Sequence, residues 1–305
     1  FLNNNVINQV LILTFLMIIG IILRKAKIIT DEVNKGLSNI LMDVTLPLMI
    51  IYSFSFKFSM GMLKNSLMII FYSFLIHIVL IILSKILYFK FPESKKNVLK
   101  FSTVFSNCGF VGYPVLQGLY GKIGVFYTSI FTIPFNIFMW SYGVMIFTGK
   151  KDIKSIKKNL INGPMICIFL GLIIFLFSIK LPYPVLQTLK SAGDMTTPIS
   201  MFIIGSMLAD VKLKDVFKGF DIYFMNFIKL IIVPLLTFVI LKLLGADKTL
   251  IYMCVILEAM PTATLVGVFA EKYNGNKTTA SKCAFLSTIL SMVTIPVIIQ
   301  IISLF

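Results

Sequence analysis

Residues 106–114 read Ser106-Asn107-Cys108-Gly109-Phe110-Val111-Gly112-Tyr113-Pro114. They sit in the middle of an apolar run, near residues 98–120, that is long enough to cross a ~30 Å hydrocarbon core. Two glycines and a proline are poor helix material. Pro114 removes a backbone donor and clashes with the carbonyl four residues earlier, that of Phe110. A second run, near residues 249–270, carries Glu258-Ala259-Met260-Pro261-Thr262-Ala263-Thr264, where Pro261 frees the carbonyl of Leu257 in the same way. Both breaks carry polar residues, which a plain proline kink does not need. Pro134, Pro234 and Pro296 have no such company and read as plain kinks. A helix interrupted at the bilayer midplane exposes half-helix N-termini, which favour anions, and loose carbonyls, which favour cations. Such backbone survives only where protein or a wet cavity surrounds it.

The rest of the chain is of one piece with these runs. Of 305 residues, 58% are apolar and 13% charged, and the mean hydropathy is +0.97. Soluble domains carry about 25% charge, so a soluble enzyme, a secreted module and a disordered chain are excluded. A polytopic all-α membrane protein remains, since runs of this length satisfy their backbone in lipid as helices. Ten spans are expected, near 6–23, 36–56, 65–88, 98–120, 124–148, 160–179, 186–208, 219–244, 249–270 and 280–304. The net charge of +16 falls in short basic clusters between apolar runs. This fits topology signals better than nucleic-acid binding. The connections after spans 1, 3, 5, 7 and 9, with the span ends beside them, hold 20 Lys and Arg, including Arg24, Lys90, Lys95, Lys150 and Lys158; those after spans 2, 4, 6 and 8, counted in the same way, hold seven. The basic side faces the cytoplasm, so both termini are expected outside a plasma membrane. No cleavable leader and no appended soluble domain are expected. Cys108, Cys167, Cys254 and Cys283 lie in apolar stretches without close Cys or His neighbours, which reads as core rather than zinc or disulfide.

The two halves echo one another at an offset of 151 residues: Asp43-Val-Thr-Leu-Pro47 matches Asp194-Met-Thr-Thr-Pro198, Gly20 matches Gly171, and Asn107 falls on Glu258. Asn5-Val-Ile-Asn8 resembles Asn159-Leu-Ile-Asn162, slipped by three residues. Residues 1–158 then form a first five-helix repeat and 159–305 a second. An odd number of spans per repeat inserts the second upside down. Inverted repeats are a signature of secondary transporters, with the site at the midplane.

Asn107-x-Gly-Phe-x-Gly-Tyr-Pro114 followed by Leu116-Gln-Gly-Leu-Tyr-Gly121 resembles the fourth span of the auxin efflux carrier family, and Met260-Pro261 followed by Phe269-Ala-Glu-Lys-Tyr-Asn274 resembles its ninth. The likeness covers the whole chain. It implies a bile-acid-symporter/NhaA-like fold with two crossing broken helices. It also implies a scaffold of helices near 6–56 and 160–208 and a mobile transport domain near 65–148 and 219–304. Homodimers and the carriage of organic anions follow from the same resemblance. The large central loop of plant members is absent, since only residues 149–159 join the halves. Glu258 stands where plant members carry a small residue, so the chain is more similar to the bacterial malate- or malonate-type members.

Of twelve acids, only Asp43, Asp194 and Glu258 lie well inside spans, Asp221 standing at the edge of the eighth. A charge at a helix centre costs about 2.5–3.5 kcal/mol on insertion scales, so a retained one marks a functional path. Glu258, Asn107 and the freed carbonyl of Leu257 resemble a Na⁺ site, and a protonatable Glu258 serves H⁺ equally; the added oxygens favour Na⁺. A carboxylate substrate is expected between Asn107 and the Pro261–Thr264 stretch. Gly109, Gly112, Pro114, Thr262 and Thr264 line the breaks, and Asp43 and Asp194 are further candidates. A structural reading fits those two aspartates equally, with a bond to Thr45 or Thr196 or a reach to headgroup water. His77 and Lys229, which nearly correspond under the repeat, are candidates to balance the buried acids, although a local bond is favoured for His77.

These residues predict an elevator-type secondary carrier of small carboxylates, coupled to Na⁺ or H⁺, with lipid as its surroundings and no nucleic-acid partner. Alternatives are an uncoupled, potential-driven carrier of auxin-like aromatic carboxylates and an ion channel, though no span carries the charge stripe a pore ring requires. No catalytic residues are expected: one His and no metal-ligand spacing exclude a paired nucleophile and base. No cofactor is expected beyond the coupling ion, and no Gly-rich phosphate loop exists.

Overall fold

The structure is a computed structural model that describes residues 2–149, 161–210 and 219–304. The joining segment after Gly149 lies outside the described residues. With it go its lysines (Lys150, Lys151, Lys154, Lys157 and Lys158), the repeat boundary at 158/159 and Asn159 of the repeat match. Lys212, Lys214 and Lys218 lie outside them as well.

In chain order the helices are α1 (Leu2–Lys25), α2 (Asp31–Ile40), α3 (Leu46–Phe54), α4 (Met60–Leu87), α5 (Glu93–Val104), α6 (Tyr113–Phe138), α7 (Val144–Thr148) and α8 (Gly163–Leu176). They continue as α9 (Tyr183–Asp194), α10 (Thr196–Ala209), α11 (Phe220–Phe227), α12 (Val233–Leu243), α13 (Lys248–Glu258), α14 (Leu265–Lys272) and α15 (Lys277–Ser303). The described residues form no strand beyond one isolated bridge. Among the described residues six helical runs are long and apolar enough to cross a membrane: Ile7–Lys25, Asp31–Phe54, Met60–Leu87, Cys108–Thr148, Phe220–Leu243 and Lys277–Ser303. The other apolar segments are short or interrupted. α6 itself is broken at Gly121, whose φ of 57° and ψ of −139° suit glycine, because a Cβ disfavours that region.

Caps start several helices as their sequences dictate. Asn162 Oδ1 accepts from the Met165 N–H at 3.0 Å ahead of α8, and Asn276 Oδ1 accepts from the Thr279 N–H at 2.8 Å ahead of α15. Both satisfy donors that a helix start leaves open. Prolines act in a less obvious way. Three π-turns, Leu41–Thr45, Cys108–Gly112 and Ile228–Ile232, each end two residues before a proline, at Pro47, Pro114 and Pro234. A proline cannot donate to the carbonyl four residues back, and a locally widened turn absorbs the mismatch.

The chain divides into two compact units. The first comprises Phe1–Met68, Gly109–Ile130 and Ile161–Asp210; the second comprises Ile69–Cys108, Phe131–Leu160 and Val211–Phe305. In the first unit small residues let backbones meet. A Cβ on Gly205 would lie 2.1 Å from the Met17 carbonyl oxygen, and one on Gly20 would lie 2.6 Å from that of Phe202. α1 and α10 therefore cross with backbone against backbone, the contact that small residues permit in membrane helices. A Cβ on Gly171 of α8 would lie 2.6 Å from the Phe54 ring of α3. In the second unit aromatic rings fill the core: Phe101 lies 4.8 Å from Phe105 and 4.9 Å from Phe269, centroid to centroid.

Candidate substrate and ion site

The second unit pairs two helix breaks with each other. α5 ends at Val104 and α13 at Glu258, and the extended backbone beyond each forms an antiparallel bridge between Ser106 and Thr262. The Asn107 N–H donates to the Pro261 carbonyl at 2.7 Å, and the Ala263 N–H donates to that of Phe105 at 2.9 Å. Thr262 fixes the crossing from the side. Its Oγ1 donates to the Ser102 carbonyl at 2.9 Å, and its N–H donates to Ser287 Oγ at 3.2 Å. Non-helical backbone at this depth is thus satisfied by the partner break and by neighbouring hydroxyls. The first break lies at residues 105–107, ahead of Pro114. Pro114 is the second residue of α6, where no helical donor is needed. The Phe110 carbonyl that it leaves open accepts from Ser200 Oγ, within the first unit. The carbonyl of Leu257 accepts from the Met260 N–H at 3.4 Å.

Three ionisable side chains meet at this crossing. Glu258 Oε2 accepts from Ser106 Oγ at 2.8 Å and from Lys229 Nζ at 3.3 Å, while Lys229 Nζ also donates to Ser106 Oγ at 2.5 Å. The Glu258 and Lys229 side chains are both 0% exposed. α5 and α13 both direct the negative ends of their dipoles at this point, which adds to the pull on the ammonium. His77 is equally buried and stands on the far side of the carboxylate. Its Nε2 lies 3.9 Å from Glu258 Oε1, and neither atom has a hydrogen-bond partner among the described residues. Its Nδ1 lies 2.7 Å from the Ser73 carbonyl and so carries a proton, since a carbonyl only accepts. The ring stacks on Phe138 and is edged by Phe105, Phe131 and Phe135. The thiols of Cys108 and Cys254 lie within electrostatic reach of Glu258.

The local bond expected of His77 is present, yet the ring also faces the carboxylate. Lys229, a candidate to balance a buried acid, is the counter-ion of Glu258. The signal for it was Pro234, read as a plain kink, which closes the π-turn carrying Lys229.

The other predicted residues divide. Asn107, Leu257, Glu258, Pro261, Thr262 and Thr264 belong to the second unit, whereas Asp43, Asp194, Gly109, Gly112 and Pro114 belong to the first. Asp43 lies exposed on the π-turn Leu41–Thr45, and Asp194 is the exposed last residue of α9. Neither follows the expected bond to a neighbouring threonine. Thr45 Oγ1 faces the Leu41 carbonyl at 3.5 Å, and Thr196 Oγ1 has no partner among the described residues. Asp194 instead accepts from Lys190 at 2.6 Å and from Gln117 Nε2 at 3.2 Å, and Thr197 Oγ1 holds Gln117 Oε1 at 2.9 Å. Longer side chains, Lys190 four positions back and Gln117 of α6, reach Asp194 where the short hydroxyl does not. No group of three or more His, Cys, Asp or Glu able to hold a metal occurs among the described residues.

Six long apolar helical runs and a pair of interlocked helix breaks among the described residues are the build of a membrane-embedded protein. The comparisons give its family. The chain belongs to the auxin efflux carrier family of membrane transport proteins, whose pattern, described as "Membrane transport protein", matches residues 5–155 and again 150–299. It is 27% identical over 300 residues to an "Uncharacterized transporter" of Methanocaldococcus jannaschii, covering 94% of this chain and 95% of that one. It is also 29% identical over 128 residues to a protein of Rhizobium meliloti named "Putative malonate transporter", covering 42% of this chain and 39% of that one.

Proposed function

We propose that the protein is a secondary active carrier of small organic anions, carboxylates above all, in a plasma membrane. In this reading ten spans form a 5+5 inverted repeat with both termini outside, the chain works as a homodimer, and transport is coupled to H⁺ or Na⁺. The unit that carries the crossing moves as one body in an elevator-type cycle, while the unit built on α1, α3, α8 and α10 serves as scaffold. The observation that carries the reading is the paired break at Ser106 and Thr262. It leaves half-helices starting at Cys108 and Leu265, whose N-terminal donors suit a carboxylate. Two contacts support the repeat. Gly20 meets Gly205, and Gly171 meets Phe54, and these are the same pair of addresses under the 151-residue offset with the roles of the halves exchanged. The name of the Rhizobium meliloti relative supports a short dicarboxylate as substrate.

The test is uptake of radiolabelled malonate, malate and an aromatic monocarboxylate into proteoliposomes. Wild type should accumulate at least one of the short carboxylates. Asn107→Ala should reduce that uptake at least tenfold while eluting as a folded protein of unchanged size. Normal uptake by Asn107→Ala would move the site away from the crossing.

A further inference from the structure

We propose that Lys229 is a tethered cation: its ammonium holds the place that a coupling Na⁺ would take at the crossing, so the protein binds no Na⁺ there. The inference rests on the carrier reading for its meaning in transport, but the ion site itself is testable without substrate.

A Na⁺ site at a helix crossing needs converging oxygens with no competing positive charge. The oxygens are present: Ser106 Oγ and Glu258 Oε2 lie 2.8 Å apart, next to the carbonyl ends of α5 and α13. The competing charge is present as well. Lys229 Nζ stands 2.5 Å from the hydroxyl oxygen and 3.3 Å from the carboxylate oxygen, donating to both of these side-chain oxygens. A second cation against those atoms would meet the ammonium at close range, in a place where neither Lys229 nor Glu258 has any exposure to water. The other carboxylate oxygen offers no substitute. Glu258 Oε1 faces the ring of His77 across 3.9 Å, and that imidazole is itself packed among four phenylalanines. The charges nearest the carboxylate are therefore Lys229 and, when it is protonated, His77. A hard cation asks for several oxygen ligands, and the structure spends its best two on the lysine.

The geometry also explains why this lysine is tolerated. An unpaired ammonium at a helix centre is expelled or snorkels. Lys229 lies on the π-turn Ile228–Ile232, and its side chain ends at a full counter-charge and at the negative end of two helix dipoles. The pair is neutral as a unit, as the site would be with Na⁺ bound to Glu258.

The experiment is thermal unfolding of the full-length protein in detergent, without substrate, in NaCl and in choline chloride of equal concentration. Wild type should melt at the same temperature in both salts, within about a degree. Lys229→Ala should melt well below wild type in choline and recover several degrees in NaCl, because an ion that binds only the folded state stabilises it by mass action. A control, Lys229→Met with Glu258→Gln, removes both charges and should fold and ignore Na⁺. Three results would overturn the proposal. These are a wild type stabilised by Na⁺, a Lys229→Ala protein indifferent to it, and a Lys229→Ala protein that cannot be prepared in NaCl while the double variant can. If neither variant can be prepared, the wild-type comparison alone decides. Absence of carboxylate uptake would count against the carrier reading and leave these melting curves unaffected.

Discussion

Each unit has a carboxylate as the last residue of a helix, held by a lysine: Asp194 of α9 with Lys190, and Glu258 of α13 with Lys229. The first pair is the shorter, 2.6 Å against 3.3 Å, yet its side chains are 47% and 45% exposed where those of the second are both 0% exposed. Distance ranks the two pairs one way and burial ranks them the other, and burial governs. In water an ion pair at contact gains little, because each partner gives up hydration it had for free. Inside the second unit neither partner has hydration to return to, so each depends on the other. The lesson is that the weaker-looking geometry marks the more consequential site.

The largest effect should come from cutting the buried pair on one side. Glu258→Ala strands the Lys229 ammonium with only a hydroxyl, and a lost partner of a buried pair costs about 3–5 kcal/mol. Unfolding in detergent should show a loss of that size. A change below about 1 kcal/mol would put this pair in the same class as the exposed one and end the comparison. An intermediate effect is expected where the first unit depends on packing. Gly205→Ala would place a methyl 2.1 Å from the Met17 carbonyl oxygen, which forces α1 and α10 apart. Overpacking of this kind costs about 1–3 kcal/mol. Stability equal to wild type would mean that the backbone contact is not what holds that unit. The smallest effect is expected of Asp194→Asn. It keeps the shape and the bond to Gln117 but removes the charge facing Lys190, and exposed pairs are worth at most about 1 kcal/mol. A loss larger than that of Glu258→Ala would invert the ranking.

Much of this was legible in the sequence, for local reasons. Apolar runs give helices, and Pro261 with its polar neighbours marks a helix end wherever it falls. Asn107, Glu258 and Thr262 were legible as a cluster because polar residues in such runs are costly. The position of the first break was less so. Pro114 drew attention to residues 110–114, but its missing donor is absorbed by the turn Cys108–Gly112 and by Ser200. The extended backbone lies where Phe105 and Asn107 find partners at Ala263 and Pro261, and no local pattern announces pairing across that separation. Lys229 was the hardest. It lies 29 residues from Glu258 and 123 from Ser106, and a single lysine in an apolar helix reads alike whether it snorkels or is buried. The two-residue spacing from the turns Leu41–Thr45, Cys108–Gly112 and Ile228–Ile232 to the next proline sets Pro234 apart from Pro134 and Pro296, and it emerges only once the turns are seen.

The order of synthesis gives the interlocked breaks a further consequence. Every segment of the first unit has been made by the time Asp210 leaves the ribosome, so that unit has all its parts while Lys229 and Glu258 of the second are still to come. The second unit has to wait. Ser106 is in the bilayer early, Lys229 arrives 123 residues later, and Glu258 follows after another 29. During that interval the ammonium is in or near the membrane with a hydroxyl and no carboxylate, at an insertion cost of about 2.5–3.5 kcal/mol. Arrival of α13 removes that cost and closes the bridge from Ser106 to Thr262 in the same step. A chain cut short before residue 258 therefore lacks the carboxylate that Lys229 pairs with in the folded protein.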